Sequence, residues 1–583
     1  MKANVRHTPL ALLGAALLCG LLTIGCDSNP AYRPPTASVN GNRPADASEA
    51  LPLADDAQAI VPSGDRPVAD APHVETPASD APSVAPLATA PDSDAPPTDE
   101  STGAAAESPP PPTADAHAPA ASALKFASAR PEYFVGWPKP RLALVISGRQ
   151  DGYLEPCGCA GLENQKGGLN RRHAFFKQLA ERGWPLAAVD VGGQVRRFGR
   201  QAEVQYTLVA DALKQMGYSA VAFGADDLRL SAGHLLSSVV TGEPEDSIFV
   251  AANVSLFGLT PKTKIIEAGG MKIGVTSILG KSFQEQLNND EIEVQPAADA
   301  LRAALPALAE CDVRVLLAHA TSAECAELAR EFPEFMLVVT AEDVDEPKAQ
   351  PDTIEGTHSR LIEVGHKGMY VVVAGFFNDP DEPIRFQRVA LDDRYPDTPE
   401  MKQLMVTYQD QLQQLGWDGL GIRSVPHPRS RQAGEQGGQF VGSAKCQDCH
   451  QEAYDVWSKS KHAHATDTLV HLDPPRQFDA ECVSCHVVGW SPQDYFPFTS
   501  GYDSLDKTPH LVGNGCENCH GPGGAHVAAE EGEDVGVDAE TLRKQMHLTW
   551  NSAKTDMCVK CHDLDNSPEF SGNVDHYWSE IAH

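Results

Sequence analysis

Between Cys446 and His562 the chain repeats one pattern four times: Cys446-Gln-Asp-Cys449-His450, Cys482-Val-Ser-Cys485-His486, Cys516-Glu-Asn-Cys519-His520 and Cys558-Val-Lys-Cys561-His562. C-x-x-C-H is the attachment signature of c-type haem. The two thiols form thioethers with the haem vinyl groups, and the next histidine is set under the iron, where axial ligation is a main control on potential. Zinc ribbons and knuckles also use C-x-x-C pairs, but they do not require a histidine after each one. Histidine is 21 of 583 residues, so four of four by chance is on the order of one in a million. The pattern therefore predicts four covalent haem c groups on Cys446, Cys449, Cys482, Cys485, Cys516, Cys519, Cys558 and Cys561. It makes His450, His486, His520 and His562 the proximal iron ligands.

The spacing then constrains the fold. The motifs begin at 446, 482, 516 and 558, and roughly thirty to forty residues per haem is too little protein for an ordinary apolar core. The porphyrins must supply that core, packed closely enough to exchange electrons. Residues 439–583 are thus expected to form a mainly α, haem-packed multihaem cytochrome domain.

The rest of the chain is a multidomain assembly. Residues 1–26 carry Lys2 and Arg6, an apolar run from Leu10 to Ile24, and the ending Leu22-Thr-Ile-Gly-Cys26. A basic start, a short apolar core and a small residue before the break make an export signal. The Gly25-Cys26 ending resembles a bacterial lipobox, which implies lipidation at Cys26 and stable membrane attachment. Residues 27–135 are built from Ala, Pro, Asp, Ser and Thr without apolar periodicity. Such a segment cannot offset chain entropy by burial, and its prolines make it an extended tether. The net charge of −34 excludes nucleic acid as a partner. Of 14 cysteines, eight lie in the motifs and Cys19 and Cys26 in the signal region. Cys157, Cys159, Cys311 and Cys325 remain, and an exported chain allows disulfides among them.

From 139 to 395 the pattern changes to alternating strand and helix. Arg141–Ile146, Leu186–Asp190, Ala220–Phe223, Ser247–Ala251, Lys272–Thr276 and Val313–Leu317 read as buried strands. Gly168–Gly183, Glu203–Met216 and Pro296–Ala309 read as helices. This alternation predicts a layered α/β domain. An amphipathic helix is expected over 398–416, with Met401, Leu404, Met405, Tyr408, Leu412 and Leu415 on one side. Pro426, Pro428, Gly434, Gly437 and Gly438 mark a loop that completes a linker over 396–438.

The strand ends of the α/β domain resemble the metallophosphatase family of the 5′-nucleotidase kind, which places two metals on ligands in the order D-x-H, G-D, G-N-H-[DE], a lone H, and G-H-x-H. Here the slots read Arg149-Gln150-Asp151, Asp190-Val-Gly192-Gly193 and Gly224-Ala225-Asp226-Asp227. The lone histidine is His319, and the final G-H-x-H is absent. Two-metal hydrolysis needs a cage of oxygen and nitrogen ligands, and a cation at Arg149 repels metal. The resemblance therefore implies a retained fold whose hydrolytic chemistry is lost. A metal-dependent nucleotide phosphohydrolase is the alternative. Tyr153-Leu-Glu-Pro-Cys157-Gly-Cys159 resembles a variant branch with Cys-Gly-Cys after the first strand, either a disulfide-pinned loop or a docking or redox element.

The haem region resembles the tetrahaem cytochrome c-554 family, which serves hydroxylamine oxidation. The resemblance rests on Trp457-Ser-Lys-Ser-Lys-His462, on Cys516-Glu-Asn-Cys519-His520-Gly-Pro-Gly-Gly-Ala-His526, and on the ending Tyr577 to His583. It implies His462, His526 and His583 as distal iron ligands. His464 faces elsewhere on its helix. His471, His510, His547 and His576 are candidates for the fourth haem. If none reaches, one iron is five-coordinate; in the family this is the second haem, here on His486. Together these readings predict an exported, lipid-anchored tetrahaem c-type cytochrome facing the periplasm or exterior. It carries electrons to redox partner proteins and binds a partner through the phosphatase-like domain. The alternative is a haem-dependent oxidoreductase acting on a small nitrogen or oxygen compound.

Overall fold

The computed structural model describes residues 132–156, 165–239, 247–287, 289–563, 566–567 and 569–583. The signal region 1–26 with Cys26, the tether up to residue 131, and Cys157 and Cys159 lie outside the described residues.

Among the described residues thirteen strands run in chain order: β1 (Leu142–Ser147), β2 (Leu186–Asp190), β3 (Ala220–Val221), β4 (Val254–Ser255), β5 (Lys264–Ala268), β6 (Met271–Leu279), β7 (Glu293–Val294), β8 (Val313–His319), β9 (Leu337–Thr340), β10 (Asp352–Thr353), β11 (Arg360–Glu363), β12 (Tyr370–Phe376) and β13 (Ile384–Ala390). They form a five-stranded sheet in the order β13-β12-β1-β2-β3 and a six-stranded sheet in the order β10-β11-β9-β8-β6-β5. β4 and β7 pair separately. β1, β2 and β3 are parallel. Their crossovers are the helices Leu169–Glu181 and Arg200–Gln215, because parallel neighbours need a long connection. All six residues of β1 are buried, as a strand covered on both faces requires.

One core cluster joins Leu142, Leu144 and Ile146 of the first sheet to Ile273, Val275, Val315 and Leu317 of the second. The outer face of the five-stranded sheet, through Ala143 and Val145, packs on Phe175, Leu179, Val209, Leu213, Met405 and Tyr408. The outer face of the other sheet, through Leu316 and Val338, packs on Leu301, Cys325 and Leu328. The result is a helix–sheet–sheet–helix sandwich, the metallophosphatase-like arrangement, with the strand ends gathered at one edge.

The helix expected over 398–416 is present as Pro399–Gly419, burying Met401, Met405, Tyr408 and Leu412; Gly416 (φ 57°) breaks its geometry. Three expectations change. Ser247–Ala251 makes only a single bridge, Phe249 to Val221, because an apolar run does not by itself fix pairing. Pro296–Ala309 divides into the helix Ala297–Ala304 and a 3-10 turn, Leu305–Leu308. The linker loop contains the helix Ser430–Gly437, broken at Ala433 and Gly434. Of the cysteines outside the motifs, Cys311 and Cys325 are buried free thiols. Burial pushes the Cys325 thiol up to about 12, which makes it unreactive.

The C-terminal region is helical in short pieces, among them Gln451–Trp457, Ala465–His471, Ala480–His486, Cys516–His520, Gly524–Glu530 and Phe570–Ser579. Its main apolar cluster is small, built on Phe440, Leu469, Val483, Val487, Val488, Trp490, Tyr502 and Leu511. Among the described residues no helix is long and apolar enough to cross a membrane.

Candidate functional site

The short helices carry the second, third and fourth motifs toward one large hollow. A cavity of 2080 Å³ is lined by Cys482, Cys485, His486, Cys519, Cys558, Cys561, His562 and His462. Ordinary small-molecule sites measure roughly 300–1,000 Å³, so this space suits several large planar groups. Thiol pairs, imidazoles and an oversized cavity are the donor set and the room that haem c requires.

The histidines meet in pairs. His450 and His526 have ring centroids 6.4 Å apart, His462 and His562 6.1 Å, and His520 and His583 5.9 Å. Four of the rings are anchored through Nδ1. Nδ1 of His486 lies 2.6 Å from the Ala465 carbonyl oxygen, and Nδ1 of His520 lies 2.6 Å from the Met546 carbonyl oxygen. Nδ1 of His562 is 2.9 Å from the Ser567 hydroxyl, and Nδ1 of His583 is 3.0 Å from the Ile581 carbonyl oxygen. An Nδ1–H donated to a carbonyl leaves Nε2 unprotonated and ready to bind a metal. Burial lowers the pKa of His462, His520 and His526, and that of His562 to about 4. The neutral imidazole, the ligating form, is thus favoured.

His464 is exposed beside Asp467 at 3.5 Å. His471, His510, His547 and His576 are also exposed. Among the described residues no ring contact joins any of them to His486.

Two motif residues that sequence reasoning passed over explain the stretch Cys516-Glu-Asn-Cys519-His520. Buried Glu517 accepts the backbone N–H groups of Val441, Gly442 and Gly523 at 2.7–3.1 Å. Asn518 donates to the Val487 carbonyl at 2.8 Å and accepts from the Gly515 N–H at 2.9 Å. Asn518 ties the third motif to the residue after the second, Glu517 ties it to the segment entering the first, and their polar identity was the available signal.

The phosphatase-like domain borders the same cavity through Leu154 and Glu155, and the helix Pro399–Gly419 through Met405, Tyr408 and Gln409. Arg476 forms a two-pronged pair with Glu155 at 2.5 and 2.8 Å. Asp479 caps the helix Ala480–His486 through the Glu481 N–H. It also accepts from Gln201 at 2.8 Å and Gln409 at 3.5 Å. Arg197 stacks over Tyr495, 3.6 Å from its ring centroid.

At the phosphatase-like strand ends, charge is satisfied internally. Asp190 accepts from the Ser147 hydroxyl (2.6 Å), the Gly192 N–H (2.9 Å) and Gln194 Nε2 (2.7 Å). The fully buried guanidinium of Arg172 lies 3.5 Å from it and donates to Gln150 at 2.7 Å. Asp227 accepts four backbone N–H groups, those of Gly193, Gln194, Val195 and Gly224. Burial still pushes its carboxyl up to about 7. Arg149 pairs with Asp151 and Asp343. His319 is buried against Phe283, its pKa lowered to about 4 by burial. A Cβ on Gly224 would stand 3.0 Å from His319 and 2.4 Å from the Gly193 nitrogen, so backbone occupies the cleft. Among the described residues no group of three or more His, Cys, Asp or Glu is placed to hold a metal ion.

Residues 445–521 match the family described as cytochrome c554 and c-prime. That segment is a cytochrome c554-type segment. Over 97 residues the chain is 35% identical to cytochrome c-554 of Nitrosomonas europaea, covering 14% of this chain and 39% of that protein. The chain thus spans about two fifths of the relative's length. The cytochrome c554-type segment implies covalently bound haem c, which its thiol pairs and histidines fit.

Among solved structures, the 5′-nucleotidase precursor from Thermus thermophilus is similar at 19% identity, covering 47% of this chain and 59% of that one with a TM-score of 0.39. The NAD nucleotidase of Haemophilus influenzae is similar at 14% identity, 49% and 62% coverage and a TM-score of 0.38.

Proposed function

We propose that the chain is an exported tetrahaem c-type cytochrome, lipid-anchored through Cys26, that carries electrons outside a bacterial cytoplasm. The observation that supports this best is the set of three histidine pairs. Two imidazoles on opposite sides of one iron hold their centroids about 6 Å apart, since each bond from a transition metal to an imidazole nitrogen is roughly 2 Å. The pairs at 6.4, 6.1 and 5.9 Å match that separation. On this reading His526 serves the haem of His450, His462 that of His562, and His583 that of His520. Bound haem supplies one-electron redox chemistry. The chain's residues fix the axial ligands, their tautomers and the spacing between sites.

The phosphatase-like domain serves as a docking surface for a redox partner and not as a hydrolase. Arg172 and Arg149 put positive charge where a two-metal centre needs ligands. A second reading is favoured at one haem only. Among the described residues no imidazole ring is paired with His486, so a haem held there would keep a position for a small nitrogen or oxygen compound.

Optical and EPR spectra of the purified holoprotein, oxidised and dithionite-reduced, with and without carbon monoxide, test both readings. Three low-spin haems and one gas-binding haem per chain are expected. Four low-spin haems that bind no gas would remove the second reading. Zinc in place of haem, in protein from a haem-maturing host, would remove both.

A further inference from the structure

Arg429 lies in the linker, outside the cytochrome c554-type segment, yet its side chain enters the haem region. Its Nη1 donates to the Pro522 carbonyl (3.4 Å) and the Met546 sulfur (3.3 Å), and its Nη2 to the Gln545 carbonyl (2.8 Å). Every one of these acceptors is neutral. Burial lowers the pKa of Arg429, and among the described residues no carboxylate opposes it.

The surroundings add further donors and cations. His427, two residues earlier, is held edge-on by Phe498 and Phe440. Its Nδ1 accepts the Arg429 N–H at 3.2 Å, which leaves Nε2–H as a donor. The His427 pKa falls to about 4 through burial, then through Arg429 and Lys560. Arg429, His427 and Lys560 all line the 2080 Å³ cavity, and Lys560 lies inside the fourth motif. A part-buried guanidinium without a counter-charge is costly. Its fork geometry suits a carboxylate. Haem c brings two propionate carboxylates, and they would enter this cavity.

Arg429 also reaches an iron ligand from behind. It grips Gln545 and Met546, and the Met546 carbonyl is the one that receives Nδ1–H of His520. A Cβ on Gly521 (φ +81°) would come within 2.6 Å of the Arg429 guanidinium carbon, so only glycine leaves room for it.

We propose that Arg429, flanked by His427 and Lys560, is the carboxylate cradle for a haem propionate and raises the potential of that haem. The inference rests on the haem reading above. An added electron makes the haem more negative, so a nearby fixed cation favours the reduced state.

The test uses full-length holoprotein carrying Arg429→Met, Arg429→Lys or His427→Gln. It reads the haem-to-protein ratio and the four midpoint potentials by optical redox titration. Arg429→Met should lower one potential by about tenfold in the equilibrium constant, about 59 mV for one electron, and leave the others in place. Arg429→Lys should retain most of the potential, and His427→Gln should give a smaller shift of the same sign. Unchanged potentials in fully loaded Arg429→Met would overturn the proposal, as would an equal loss in Arg429→Lys. If Arg429→Met fails to load haem, His427→Gln decides by the same sign rule. Sodium phosphate added to the wild type separates the sources: a cradle filled by a propionate is insensitive, whereas a shifted potential means that it binds free anions and overturns the assignment. Wild-type protein without haem would defeat the underlying reading instead.

Discussion

Replacing Arg172 by Met removes the buried guanidinium beside Asp190. Arg172 has no solvent exposure, and its Nη1 is 3.5 Å from Asp190. At that distance and an effective dielectric constant of about 20, the attraction is about 5 kcal/mol. Breaking a buried pair from one side costs roughly 3–5 kcal/mol, because the remaining charge stays buried. Asp190 keeps its bonds from Ser147, Gly192 and Gln194, so a cost of about 4 kcal/mol is expected. For a domain of about 250 residues each kcal/mol moves Tm by about 2–4 °C, giving a fall of about 8–16 °C. Calorimetry of the wild type, Arg172→Met, Asp190→Asn and the double variant measures the coupling. The double variant should recover about 2 kcal/mol relative to additivity. Additive effects, or a Tm loss under about 3 °C, would refute the assignment of Arg172 as the counter-charge of Asp190. So would a large stabilisation of wild-type protein by manganese or zinc that Asp190→Asn abolishes, since that would make Asp190 a metal ligand.

His319 gives a pH signature. Its folded pKa near 4 lies below the unfolded value of 6.5, so the unfolded chain takes up the proton first. Stability from this group is full above about pH 6.5 and falls by about 3 kcal/mol as pH drops to 4; denaturant melts of the wild type against His319→Gln should show that difference. Glu155→Gln leaves Arg476 (6% exposed) unpaired against a partner that is 35% exposed, which should cost about 2–3 kcal/mol and raise hydrogen exchange over 465–486 in mass spectrometry. His526→Ala should open the iron of His450, so that carbon monoxide titration counts one more binding haem per chain than the wild type.

Sequence reading carries furthest where chemistry is local. C-x-x-C-H is five consecutive residues, so each motif is legible by itself. The apolar period of Met401, Met405, Tyr408 and Leu412 was enough to identify the helix Pro399–Gly419. The resemblance supplied His462, His526 and His583 but not their partners. That His462 follows the first motif yet meets His562 of the fourth is a long-range fact that spacing does not encode. The same holds for Arg172, whose partner Asp190 ends the next strand, and for Asp227, which gathers four backbone donors. Its identity in the sequence suggested only a decayed ligand slot. Helix Ser430–Gly437 was hidden because Gly434, Gly437 and Gly438 read as loop, and Gly434, at φ 58°, permits the break. Cys26, Cys157 and Cys159 lie outside the described residues, and their roles stay as the sequence poses them.

The two folded regions cannot be treated as a cytochrome with a detachable passenger. Asp479 is the reason. Its carboxylate caps the helix that ends in His486, and an N-cap fixes the direction from which a helix starts. The same carboxylate accepts from Gln201 and Gln409, which belong to helices packed on the five-stranded sheet. Any shift of that sheet and its helices is therefore transmitted to the helix carrying Cys482, Cys485 and His486, the one motif without a histidine partner among the described residues. Arg476 and Glu155 restrain the same segment from a second direction. The other three motif histidines are paired within residues 439–583. The His486 motif is held partly by residues that lie outside the matched stretch 445–521. The helices of the α/β domain and the Glu155 loop thus act as a wall and an anchor for the His486 site.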